Sequence, residues 1–207
     1  MLARCGIICG IMATVNHSER RRLIVAKAMQ LFARMGYSKV SFLDVSEATG
    51  IARTALYRYF KTKRDIFDEA IHGTTSVLKK ELEEMCARRL PVARRLELAC
   101  GSVSDALYGK KEFFSAIYEF VFSMVRAGEN MTERIAKFTS GFKMVLRRLV
   151  AEGVASGELR ASVDPDDAAE ALYALMESVA LRVMLGVESD PAHAQRRFRA
   201  VIATFVA

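Results

Sequence analysis

Apolar positions along this chain recur every three or four residues, in long runs interrupted by few breakers. Ile24, Ala28, Leu31, Phe32 and Met35 fall at i, i+4, i+7, i+8 and i+11, which is one face of a helix. The pattern predicts a first helix that opens with Ser18 as its cap and ends at Gly36. Ser41, with Asp44 three residues on, opens a second helix over about Phe42 to Thr49, closed by Gly50. A third short helix is expected over about Ala52 to Phe60. Thr62 and Asp65 cap a fourth, which runs to about Arg89 and stops before Pro91. Further helices are predicted near Val92–Leu107, Lys110–Arg126 and Met131–Ala155, punctuated by Gly128 and Gly157. Asp164 before Pro165, and Asp190 before Pro191, then start the last two helices. The expected fold class is all-α.

Composition supports this picture. Of 207 residues, 52% are hydrophobic and 27% charged, enough to build a core and to exclude global disorder. Three prolines and 12 glycines are too few for a many-stranded sandwich or barrel. Charge changes the picture more. Residues 1–64 hold 12 Lys and Arg against 3 Asp and Glu, a net of +9, while residues 65–207 hold 19 against 21, a net of −2. A basic module attached to a slightly acidic body points to a polyanion partner. No long apolar run lacks charges, so no membrane partner is expected. The opening MLARCGIICGIMA superficially resembles an export signal but carries no A-x-A site; Met12 as the start, or a flexible arm over residues 1–17, fits better. Cys86 and Cys100 lie on apolar helical patterns and read as core, while Cys5 and Cys9 stand in the N-terminal tail without further ligands. No metal or other cofactor is expected.

Two short helices joined by a glycine turn behind a longer one form a helix-turn-helix pattern. Leu56 and Phe60 would face the first helix, which leaves Thr54, Arg58 and Lys61 outward, flanked by Arg53 and Tyr57. Arginine can donate two bonds to guanine, and threonine can touch a thymine methyl. Lys63, at the start of the fourth helix, places a full charge where free N–H groups already favour an anion, so it reads as a phosphate contact.

The stretch SFLDVSEATGIARTALYRYFKTKRDIFDEAI resembles the DNA-binding domain of the TetR family of bacterial transcriptional regulators. Ser41, Val45, Glu47, Gly50, Ile51, Leu56, Tyr57, Phe60, Lys63 and Phe67 carry the likeness, and LFARMGY resembles the end of that family's first helix. The sequence departs at Ala52, Thr54 and Tyr59, where the family commonly has Ser, Gly and His. The resemblance implies base contacts from Arg53, Thr54, Ala55 and Arg58, and phosphate contacts from Ser41, Tyr57, Tyr59 and Lys63. It also implies a cytoplasmic homodimer on a palindromic double-stranded DNA operator. The helix-turn-helix domain is then residues 18–64, and a helical effector-binding and dimerisation domain spans residues 65–207.

Over that larger domain the resemblance implies an effector pocket and a dimer interface from the last two helices. Two apolar stripes are candidates for the interface: Ala168, Ala171, Leu172, Leu175, Val179 and Val183, and then Phe198, Val201, Ile202 and Phe205. Six of the 12 phenylalanines fall within residues 113–142. Candidate ligand contacts are Tyr108, Phe114, Tyr118, Phe122, Phe138, Phe142, Met144 and Met176, with Glu119, Ser123 and Glu177 as further polar groups. Aromatics at helical spacing serve a filled core equally well. No cluster of charges points to an ionic effector, so a small apolar or aromatic molecule is expected. The reading is a ligand-released repressor; a DNA-binding adaptor governed by a protein partner, or by no ligand at all, is the alternative. An α-helical enzyme is disfavoured, since His17, His72 and His193 are scattered and no nucleophile elbow or phosphate loop occurs.

Overall fold

The computed structural model describes the backbone of residues 3–207 and the side chains of residues 17–207. The expectations that rest on Cys5, Cys9 and Met12 lie outside the described side chains. Among the described residues the chain is all-α, with nine helices: α1 Ala3–Met35, α2 Phe42–Thr49, α3 Arg53–Leu56, α4 Lys63–Cys86, α5 Val92–Gly109, α6 Lys111–Arg126, α7 Thr132–Ser156, α8 Pro165–Met184 and α9 Pro191–Ala203. It divides into two compact units, Met1–Gly73 and Thr74–Ala207, so α4 carries residues of both.

In the first unit α1 packs on α2, and α2 on α3. Ile24, Ala28 and Phe32 are fully buried, joined by Val45, Leu56, Phe60, Ile66 and Phe67. Phe32 and Phe67 meet edge to face, with ring centres 5.0 Å apart. Two expectations change here. The helix runs on from Ala3 through Ser18, which is therefore not its cap; a serine caps only where extended backbone enters the helix. α3 is a single turn, and the segment to Phe60 continues through bonds such as Arg58 N–H to Ala55 O (3.1 Å) and Tyr59 N–H to Leu56 O (2.9 Å). Those are i→i+3 bonds, the tighter turn in which uncapped α-helices often end. Ala52 gives α3 no side-chain cap.

In the second unit α5 lies against α7, α8 and α9, and α6 against α5 and α8. The core draws on Leu96, Cys100, Leu146, Leu149, Leu172, Val179, Phe198 and Ile202. Asp164 accepts from the N–H groups of Asp166 (2.9 Å) and Asp167 (3.0 Å), and Asp190 from that of Ala192 (3.0 Å), so both aspartate–proline starts form as expected. Gly157 closes α7 in the left-handed region, φ 76°. Beyond it, Leu159 and Val206 form an antiparallel bridge, flanked by Arg160 N–H to Phe205 O (2.9 Å).

Candidate nucleic-acid interface

Local polar contacts fix the reader. Ser41 Oγ accepts from Asp44 N–H (3.3 Å), while Asp44 Oδ2 accepts from the Ser41 N–H and hydroxyl, both at 2.7 Å. These bonds hold the Asp44 carboxyl below its ordinary pKa, the Ser41 hydroxyl contributing most. The Ser41 hydroxyl, expected on a phosphate, is thus engaged in capping α2. Gly50 turns the chain at φ 67°, a conformation that suits glycine. Ser46 Oγ donates to the Ile51 carbonyl (2.7 Å) and Thr49 Oγ1 to that of Val45 (2.7 Å), so the turn into α3 is bonded from both sides.

α3 then presents its faces as its spacing predicts. Leu56 and Phe60 are buried; Arg53, Thr54 and Arg58 are exposed; Ala55 is half-buried. Tyr57 is half exposed and stacks on Phe42, rings 4.9 Å apart and 7° from parallel. That contact holds the phenol at the rim of α2 and α3. Tyr59 stacks on His17 of α1, rings 4.6 Å apart. Asp65 N–H donates to Thr62 Oγ1 (3.1 Å) and Thr62 N–H to Asp65 Oδ2 (2.9 Å), the reciprocal cap expected for α4. Lys63 points inward. Its ammonium donates to the carbonyls of Tyr37 (2.8 Å) and Ser38 (3.3 Å) and lies 4.3 Å from the centre of the Tyr37 ring. Fastening the α1–α2 turn to α4 is a role that charge and position alone do not suggest.

The second unit brings some of its candidates together and separates others. α6, α7 and α8 carry Tyr118, Phe122, Phe138, Phe142 and Met176, of which Tyr118 and Phe122 are ring neighbours at 6.3 Å, Phe138 lies beside Arg134 and Met176 is buried in the core. They add Tyr173, absent from the sequence-derived set, whose ring lies 6.5 Å from Phe142 and 4.4 Å from the Lys143 ammonium. Burial raises the Tyr173 phenol, with Glu177 beside it adding to the effect; burial and Glu177 raise Tyr118 in the same way. Tyr108 stands elsewhere, donating to the Asp190 carbonyl (3.3 Å) at the start of α9. Phe114 packs against the core beside Phe113, whereas Met144 is 61% exposed on the outer side of α7. Two surface grooves of about 500 and 610 Å³ open near Arg95 and near Gly101, and none of the eight candidates lines either.

Both apolar stripes lie against the core of the unit, Ala171 excepted. Ala168, Leu172, Val179, Val183, Phe198 and Ile202 are buried inside the unit, and Leu175, Val201 and Phe205 pack against that core. The outward face of α8 instead carries Ala171, Ala174, Ser178 and Leu181, with Leu185 just past its end. The named stripes follow the helical period, but the face they mark is turned inward.

Residues 24–70 match the family described as bacterial regulatory proteins, tetR family, and residues 92–207 match the C-terminal domain described as BetI-type transcriptional repressor. The chain belongs to the TetR family. It is a DNA-binding transcriptional regulator. Over 151 residues, 73% of each protein, this TetR-family chain is 26% identical to the HTH-type transcriptional repressor KstR2 of Rhodococcus jostii. A regulator from Saccharomonospora viridis, solved with choline, superposes with a TM-score of 0.79 at 19% identity over 92% of this chain and 99% of the other. FadR from Bacillus subtilis, solved with stearoyl-CoA, gives 0.73 at 18% identity over 90% and 99%. No described helix is long and apolar enough to cross a membrane.

Proposed function

We propose that this TetR-family regulator is a homodimeric repressor that binds a palindromic operator and releases it when a small apolar or aromatic ligand enters among the aromatic side chains of α6, α7 and α8. The observation that carries the DNA contacts is the split of one short segment. Leu56 and Phe60 are buried, while Arg53, Thr54 and Arg58 stand free of the core beside half-buried Ala55. We assign those four to base edges, and Ser41, Tyr57, Tyr59 and Lys63 to phosphates. Ser41 and Lys63 also hold the unit together, so each serves twice. One short reader covers too few base pairs, and a two-fold dimer presents two about 34–36 Å apart. The outward apolar face of α8, with Leu181 50% exposed and Leu185, just past its end, 68% exposed, supports a second copy there rather than on the buried stripes.

For the ligand we assign Tyr118, Phe122, Phe138, Phe142, Tyr173 and Met176. The repressor names and ligand-bound structures among the relatives support control by a ligand. The ligand must bind the DNA-free dimer more tightly, because coupling between two sites is reciprocal. Binding-site selection from random duplex DNA tests the first half: an enriched palindrome is expected, and none would overturn it. Thermal melting with stearoyl-CoA, choline and aromatic acids as probes tests the second. A stabilising probe should lose its effect in Tyr118→Ala and release DNA from the wild type. A melting shift that survives Tyr118→Ala would place the ligand elsewhere.

A further inference from the structure

Arg21 of α1 joins three parts of the N-terminal unit. Its Nε donates to both carboxylate oxygens of Glu69 on α4 at 2.9 Å, and its Nη2 closes the fork on Oε2. Its Nη1 donates to the Tyr59 carbonyl (2.7 Å). The guanidinium carbon lies 4.2 Å from the centre of the Phe60 ring. Tyr59 and Phe60 end the segment that begins with Arg53 and carries the proposed base contacts. That segment leaves the α-helix after Leu56, so its later carbonyls need donors from elsewhere. A planar, five-donor guanidinium can serve a carboxylate, a carbonyl and a ring at once, which an ammonium cannot.

We infer that Arg21 and Glu69 are positioning residues for DNA reading: the pair sets how the α3 segment is presented from α1 and α4, without touching DNA itself. The inference rests on the assignment of α3 as the reader. Charge alone predicts the opposite of this role for Glu69. Removing a negative charge from a basic DNA-binding unit should tighten binding to any duplex. A lost clasp should weaken binding to the selected sequence and leave an unrelated duplex alone.

The test uses the full chain, with the wild-type-selected palindrome and a scrambled duplex of equal length. Glu69→Gln should lower the ratio of selected to scrambled affinity by about tenfold, the range of coupling seen between directly bonded partners. Glu69→Asp, which keeps the charge and shortens the reach, should fall between Gln and wild type. Arg21→Gln should act like Glu69→Gln, and the double variant should be little worse than either. The slope of log affinity against log salt should not change, because no phosphate contact is lost. A merely structural role would lower the melting temperature and leave the ratio intact, which overturns the inference. So would tighter binding of Glu69→Gln to both duplexes. An Arg21→Gln variant that weakens both duplexes equally and lowers the salt slope by about one would make Arg21 a phosphate contact instead. Should Arg21→Gln not fold, the two Glu69 variants decide alone. A wild type that selects no sequence overturns the reader assignment and the clasp with it, whereas normal selection with unchanged Glu69 variants overturns the clasp alone.

Discussion

The two units of this chain secure their helices by different means. In the first, α2 has eight residues and α3 four, lengths that do not hold in water by themselves. Side chains hold them: Ser41 and Asp44 at one end of α2, Ser46 and Thr49 at the other, Arg21 and Lys63 from outside. In the second unit, α6 to α8 run 16 to 25 residues and are fixed by broad apolar burial. The consequence is functional as well as mechanical. Where polar bonds hold short helices, the faces left over are few and their use is plain. Where burial holds long helices, one aromatic side chain can serve as filling or as lining without any change in its type.

The largest effect that would sharpen this contrast is on phenylalanine. Phe32→Ala, in the small core of the first unit, should cost about 3–5 kcal/mol in denaturant unfolding and abolish DNA binding. Phe122→Ala, at a position 56% exposed in the second unit, should stay within about 0.5 kcal/mol. Equal losses would erase the distinction between filling and lining. Next comes close packing in the second unit. A Cβ on Gly153 would stand 2.6 Å from Leu159 Cγ and 2.9 Å from Val92 Cγ1, both residues buried. Gly153→Ala should therefore destabilise the chain despite a helix-propensity gain of about 1 kcal/mol, since overpacking costs about 1–3 kcal/mol. Adding Leu159→Ala should shrink that penalty, and a penalty unchanged in the double variant would mean the strain lies elsewhere.

In the first unit the contrast can be broken by one pair of substitutions. Arg58→Ala should remove about 1–3 kcal/mol of discrimination at particular base pairs while leaving the melting temperature near wild type. Lys63→Ala should weaken binding to all sequences alike. It should also cost roughly 1 kcal/mol of stability, because the Tyr37 and Ser38 carbonyls lose their donor. If Lys63→Ala left stability untouched, its inward contacts would not matter to the fold. The smallest effect is alkaline. Burial, reinforced by Glu177, raises the Tyr173 phenol, so its contribution to stability is full below the ordinary tyrosine value of about 10 and is lost as pH rises beyond it. Unfolding followed above that pH should show a fall that Tyr173→Phe reduces; an identical fall in both chains would assign it to other groups.

Much of the fold was legible because its signals are local. The limits of α2, the Ser41–Asp44 and Thr62–Asp65 caps and the aspartate–proline starts of α8 and α9 each depend on residues within four positions. Leu56 and Phe60 were placed inward by spacing alone, and Arg53, Thr54 and Arg58 outward by the same rule. What spacing does not give is the partner across the fold. Arg21 reads as one of three consecutive basic residues until Glu69 and the Tyr59 carbonyl are brought to it. Lys63 reads as a surface charge until Tyr37 lies beneath it. Tyr173 carries no local mark that separates it from Tyr108, yet Tyr173 meets the ring of Phe142 while Tyr108 bonds the Asp190 carbonyl. The α8 stripe shows the same limit: periodicity marks an apolar face but not what covers it.

The bridge between Leu159 and Val206 ties the exposed segment after α9 to the buried Leu159. The Ala207 N–H donates to the Glu158 carbonyl (3.3 Å), and Leu159, held by this rung, is the side chain that fills the space above Gly153. A purification tag joined after Ala207 would start from a tethered residue beside the Gly157 turn, with its first residues steered along that edge. Removing Val206 and Ala207 would cut the rung, loosen Leu159 and open the floor between α5 and α7. An affinity handle on this regulator therefore disturbs less when it is added with a polar spacer than when it replaces those last two residues.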